Sequence, residues 1–300
     1  AAGNPFFAEE MVRELAQRGL LAGEHGSYVC RVEVDEVSVP ATVQAAIEAR
    51  IDRLSIPAKR TLNAAAVIGA HFGADLLAAL GIDAVLDEAL GAELIDQVRF
   101  TPQAEYAFHH PLIRAVAYES QLKSDRAELH RRVAAAIESR DPAAAEKNAA
   151  LIAEHLEAAG DVHEAFGWHM RAGAWANYRD IRAARASWQH ARRIADGLAT
   201  DPATASMRIT SRALLCATAW RVGGNLVDTG FDDLRELCAT AGDTASLALG
   251  TAGQLLALTL HHRYRESSRL AAEYAGLIER IDDPTMRVRV LPQVIVAQYE

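Results

Sequence analysis

The chain has 300 residues, half of them apolar, and a formal net charge of −9. That length can bury a substantial core and sets an expectation of two or more domains. The negative field argues against the whole surface serving as a nucleic-acid or anionic-membrane footprint. Aromatics are scarce and alanine, the best helix former, is abundant, so the expected class is mainly α.

Asn4 and Pro5 open the first helix as cap and first-turn proline, and Phe7, Met11, Val12 and Leu15 give it an apolar face before Gly19. From Leu20 to Val34 the period becomes β-like around Gly23 and Gly26, which predicts a small hairpin. Pro40 starts a helix whose stripe of Val43, Ile47, Ile51 and Leu54 stops before Pro57. Three short helices are expected next, over Lys59–Ile68, Gly73–Leu80 and Ala84–Ile95. A strand pair over Val98–Phe108 follows, broken by Thr101, Pro102 and Gln103, and this is the order of a winged helix.

From Pro111 onward only helices are expected. Breaks fall near Lys123, Arg140–Pro142, Gly160, Arg179, Thr200–Pro202, Gly223, Gly242, Tyr264 and Asp282–Pro284. Spaced roughly twenty residues apart, they make pairs of helices the size of a helical repeat. The best-formed repeat runs from Asp161 to Gly197, with Ala165, Ala172, Gly173, Ala176, Ala184, Trp188 and Ala191 at the helix crossing. Its spacing and A-G-x-x-A core resemble a tetratricopeptide repeat (TPR). Ala1–Phe7 enters a helix without a starting methionine, and Met286–Glu300 still carries a helical pattern, so the chain is expected to be a piece of something longer.

The residue patterns that carry chemistry are mostly missing. Lys123 and Ser124 form a Lys-Ser pair with no glycine in the six residues before it, so no phosphate-cradling P-loop is expected. Cys30, Cys216 and Cys238 are odd in number and widely spaced, which points to a reducing compartment, cytoplasmic by default, with buried or incidental thiols. No apolar run approaches the ~18 residues of a membrane span. His155, His163 and His169 read as ordinary histidines on a repeat rather than as metal ligands, and the expected metal set is none.

The charge of two segments bears on binding. The predicted third helix of the winged module, Ala84–Ile95, carries Asp87, Glu88 and Glu93 and no cation, so a phosphate backbone would be repelled and no direct nucleic-acid contact is expected. Arg171, Arg179, Arg182, Arg185, Arg192 and Arg193 form a basic stretch interrupted only by Asp180. It reads either as a solvated face or as a patch for an acidic partner or another domain, with Arg179, Arg182 and Arg185 as the candidate partner-binding residues.

Three segments together resemble a known family: Gly3-Asn4-Pro5-Phe6-Phe7, Val39-Pro40 through Leu54, and Phe108-His109-His110-Pro111-Leu112-Ile113-Arg114 through Ser120. They are similar to the region that follows the nucleotide-binding core in STAND signalling ATPases, above all bacterial members fused to class III adenylate or guanylate cyclase domains or to LuxR-type domains. The resemblance covers residues 3 to 140 well and the rest only as a generic helical-repeat sensor.

It implies a lid end over residues 1–56 with a small hairpin, a winged-helix-like module over 57–122 and a TPR-like α-superhelix over 123–300. It implies ATP or ADP as the nucleotide of the complete protein, with none bound by this segment alone. Pro5, within the element Gly3-Asn4-Pro5, would pack on the adenine, and His110, followed by Leu112 and Arg114, would reach the diphosphate. Pro111 replaces the acidic residue the family commonly has there, and His109 is the other candidate for the contact.

The implied role is the regulatory and sensor portion of an ATP-dependent signalling protein that controls a nucleotide cyclase. Its partners would be other domains of the same polypeptide and a protein or small-molecule effector on the repeats, with no catalytic residue in this segment and no membrane. The alternatives are a TPR-like interaction scaffold and part of a LuxR-type transcription regulator.

Overall fold

The structure, a computed structural model, describes residues 5–17, 21–22, 29–30, 43–142, 144–222 and 230–278. The expected elements at Gly3 and Asn4, at Val39–Thr42, at the tip of the first hairpin and over Met286–Glu300 lie outside them. The chain divides into two compact units, Ala1–Ala136 and Ile137–Glu300. The fold is mainly α.

In the first unit, α1 (Pro5–Gln17) is followed by two short antiparallel strands, β1 (Leu21–Ala22) and β2 (Val29–Cys30), and then by α2 (Val43–Asp52). Pro57 does not separate α2 from a helix beginning at Lys59. It sits in the first turn of α3 (Ile56–Ile68), where its missing N–H costs nothing. Ser55 caps that helix by accepting from the Ala58 N–H, and its own N–H and hydroxyl donate to the Glu88 carboxylate at 2.8 and 2.6 Å. Those two bonds stabilise the charged form and hold the Glu88 carboxyl below its ordinary pKa.

After α3 come β3 (His71–Gly73), α4 (Ala74–Ala79), α5 (Asp87–Gly91), β4 (Ile95–Arg99) and β5 (Glu105–Phe108). The strands form one antiparallel sheet in the order β3-β5-β4. Two expectations are corrected here. The twelve-residue helix over Ala84–Ile95 is only the five residues of α5, because Glu93 turns at φ 51 and Ile95 is drawn into a pair with Phe108. β3 was not expected at all. Its Phe72 is buried and stacks on Tyr106 at 5.8 Å and tilts against Phe108 at 5.7 Å. With Leu62, Leu77, Leu94, Ile95 and Ile113, these rings make the core beneath α6 (Pro111–Glu119). The long helix α7 (Lys123–Arg140) follows.

The second unit is a run of helices packed on their sequence neighbours: α8 (Ala149–Ala159), α9 (Val162–Ala176), α10 (Ile181–Gly197), α11 (Pro202–Ala217), α12 (Phe231–Ala241), α13 (Thr244–Leu260) and α14 (Tyr264–Ile278). Their ends are set by local chemistry. Gly160 takes the left-handed conformation that closes α8, Asp180 accepts the Arg182 and Ala183 N–H groups to start α10, and Asp201 with Thr204 forms a capping box for α11. The expected break at Tyr264 falls just before it, since Tyr264 begins α14. The small residues foreseen at the α9–α10 crossing, Ala165, Ala172, Ala176, Ala184 and Ala191, are all buried, and Ala176 and Ala184 share one core cluster with Trp188. No helix among the described residues is long and apolar enough to cross a membrane.

Candidate functional site

Pro5 opens α1, which packs on α2, and it is exposed. His110 opens α6, which packs on α2, α3 and β5, and its ring is half-buried. The backbone at His110 is extended, and its Nδ1 accepts the Leu112 N–H at 3.1 Å, so the histidine serves as the N-cap of α6 with Pro111 in the first turn. Neighbouring His109 is turned to the sheet, its Nδ1 2.8 Å from an Asp96 carboxylate oxygen on β4. Arg114 reaches back and donates through Nε to the Ala66 carbonyl at 3.0 Å, tying α6 to the end of α3. Gly3 and Asn4 lie outside the described residues.

The arginine run does not form one face. Arg179 lies over the Trp175 ring at 4.5 Å and donates to the Trp175 carbonyl. Arg182 is exposed on the first turn of α10. Arg185 instead turns onto the end of α11, where it donates to the Leu215 carbonyl and to the Thr218 hydroxyl at 2.9 Å. Burial lowers its pKa, but an arginine starts so high that it stays charged.

Arg185 also stands on the wall of a groove of about 1150 Å3 in the second unit. Arg192, Arg235 and Arg269 face Asp232, Asp233 and Glu273 around it, and Phe231, Leu258 and Leu270 supply apolar surface. Some of these charges already neutralise one another, as Arg235 does with Glu273 at 3.4 Å and Arg263 with Glu266 at 2.7 Å. The Cys216 thiol, buried in the core of this unit, is a poor nucleophile, because burial pushes its pKa up to about 12.

A second cluster lies at the α8–α9–α10 crossing. His169 Nε2 is 3.2 Å and His190 Nδ1 3.4 Å from the same Glu157 oxygen, and the two imidazoles stack at 4.9 Å. His169 is buried, while Glu157 and His190 are more than a third exposed. Burial lowers the His169 pKa more than the Glu157 bond raises it. Among the described residues this is the one group of histidine, cysteine and carboxylate side chains whose ligand atoms lie within mutual reach, all within 4.8 Å of one another. The structure therefore joins His169 to Glu157 and His190, and leaves His163 exposed outside the group. Separations of twelve and twenty-one residues match no ligand motif, so only the packing of three helices could reveal it.

The chain matches no protein-family model. It is similar to uncharacterized protein R02095 of Rhizobium meliloti (strain 1021), at 29% identity over 188 residues, which are 58% of this chain and 17% of that protein. Among solved structures it is similar to a signal transduction ATPase with numerous domains (STAND) carrying a tetratricopeptide repeat sensor, PH0952 from Pyrococcus horikoshii. That superposition has a TM-score of 0.34 at 13% identity and covers 86% of this chain and 43% of the other. The chain thus spans less than half the length of either protein.

Proposed function

We propose that this chain is the regulatory and sensor portion of a STAND-type signalling ATPase of the cytoplasm, one whose output is a nucleotide cyclase. The first unit would bear on ADP held by a nucleotide core ahead of Pro5, and the helices of the second unit would receive a protein or small-molecule effector. The observation that carries the sensor role is the groove, an open concavity on helical hairpins that offers both signs of charge and an apolar floor. Arg179 and Arg182 would extend the partner surface, with Arg185 on the groove wall. The nucleotide role is supported by the sequence resemblance around Pro5 and His110. A ligand can shift such a switch only through different contacts in its two states, and these residues are where the difference would be made.

A second reading is a nucleotide-independent interaction scaffold. It is favoured by the cap at His110, which gives that ring a structural reason to be where it is. ADP affinity of the protein with its nucleotide core separates the two, measured for His110→Ala and His110→Asn. Asparagine keeps a capping oxygen and removes the imidazole. If the ring touches the diphosphate, both variants weaken ADP binding by more than about tenfold, the loss of one charge-assisted contact. Unchanged affinity in both removes His110 from the nucleotide site and leaves the scaffold. ATP turnover by the present chain alone is expected to be absent, and measurable turnover would overturn the reading.

A further inference from the structure

Glu157, His169 and His190 come from three successive helices, α8, α9 and α10, and their polar atoms converge on one point. The donor set is two imidazole nitrogens and one carboxylate oxygen, the mixture that borderline divalent cations prefer. In a tetrahedral zinc site with bonds of about 2.0 to 2.1 Å, neighbouring ligand atoms stand about 3.3 Å apart. The two nitrogen-to-oxygen separations here are 3.2 and 3.4 Å. The remaining separation, between the two nitrogens, is within 4.8 Å.

The imidazoles stack on each other at 4.9 Å and share a single carboxylate oxygen. Glu157 and His190 are more than a third exposed, so the converging donor atoms are partly open to solvent.

We propose that Glu157, His169 and His190 bind one divalent cation of the zinc class, which pins α8, α9 and α10 together and keeps at least one coordination position open to water or a ligand. Three protein ligands leave a fourth tetrahedral place unfilled, the arrangement of sites that exchange a ligand and not of closed structural sites. The proposal is independent of the nucleotide reading, because none of its three residues belongs to the segments that carry it.

Zinc titration of the intact chain by calorimetry tests it, with cobalt as a spectroscopic substitute. The expected result is one site per chain, saturable, with a visible cobalt band of tetrahedral type and a rise in melting temperature on zinc addition. His169 is buried, so its substitution also perturbs folding, and the decisive variants are Glu157→Gln and His190→Ala, with His163→Ala, an exposed histidine outside the group, as control. Both cluster variants should weaken zinc by more than about tenfold while the control leaves it unchanged. Binding that is weak, multiple or equal in all three variants would overturn the proposal.

Discussion

Gly173 on α9 faces the indole of Trp188 on α10 so closely that a Cβ added to the glycine would lie 2.1 Å from Nε1 and 2.5 Å from Cδ1. Trp188 is almost fully buried and is the largest side chain of that part of the core, so the two helices can approach only where one of them lacks a side chain. Gly173→Ala should therefore destabilise the chain by about 1 to 3 kcal/mol through overpacking. Gly167, on the same helix, has open space where its Cβ would stand, and Gly167→Ala should instead stabilise by up to about 1 kcal/mol through helix propensity. Urea denaturation of the two variants checks the pair, and equal shifts would show that the contact with Trp188 is not tight.

Arg50 on α2 is 1% exposed, and its guanidinium donates to the Ala92 carbonyl and, at 3.1 Å, to the Glu93 carbonyl. Those carbonyls end α5, where the chain turns at Glu93, so one side chain ties α2 to the turn that feeds β4. Arg50→Met should cost about 2 to 4 kcal/mol, since charged donors are lost from two acceptors. Arg50→Lys should recover only part of this, because an ammonium cannot reproduce the planar fork. Chemical denaturation of the three proteins measures the difference.

The buried His130 on α7 bonds through Nε2 to the Tyr118 hydroxyl at 3.0 Å. Burial, with Arg114 and Arg126 nearby, lowers its pKa from 6.5 to about 4. The folded state thus binds its proton less readily than the unfolded chain, so the stability it contributes is complete above about pH 6.5 and is lost as pH falls toward about 4. The buried His169 shifts in the same direction. The urea midpoint should fall between pH 7 and pH 5, and His130→Gln should flatten that slope without abolishing it. An unchanged slope in the variant would place the acid sensitivity elsewhere.

Cys216 and Cys238 are both buried in the core shared by α11, α12, α13 and α14, and burial raises their thiols to about 12 and about 11. Alkylation at neutral pH should spare both until denaturant is added, because neither thiolate forms and neither sulfur is reachable. Peptide mapping after native and denaturing labelling reads the outcome directly, and native labelling of Cys216 would contradict the packing described.

How much of this was legible in the sequence depended on the range of the forces involved. The α9–α10 pair could be read correctly because Gly160, Asp180 and Asp201 act on backbone groups two to four residues away, and the alanine stripe repeats with the helical period. The strand at His71–Gly73 could not, since three residues carry no period and become a strand only by pairing with Glu105–Ala107. The same long-range pairing shortened the helix expected over Ala84–Ile95, taking Ile95 to Phe108.

The sites divide along the same line. His110 stood out in the sequence only through the resemblance carried by Phe108 to Ser120, and the structure shows what that position does locally, which is to cap α6. Arg185 looked like one more cation in a basic run until α11 supplied the carbonyl and hydroxyl that hold it. Glu157, His169 and His190 were separated by ordinary helical sequence, and only the crossing of three helices brought their lone pairs together. By itself the sequence determined helix ends, class and the small-residue crossing, all matters of a turn or two of chain. Tertiary structure alone decided which distant polar atoms meet, because that depends on packing between helices and not on any spacing within one.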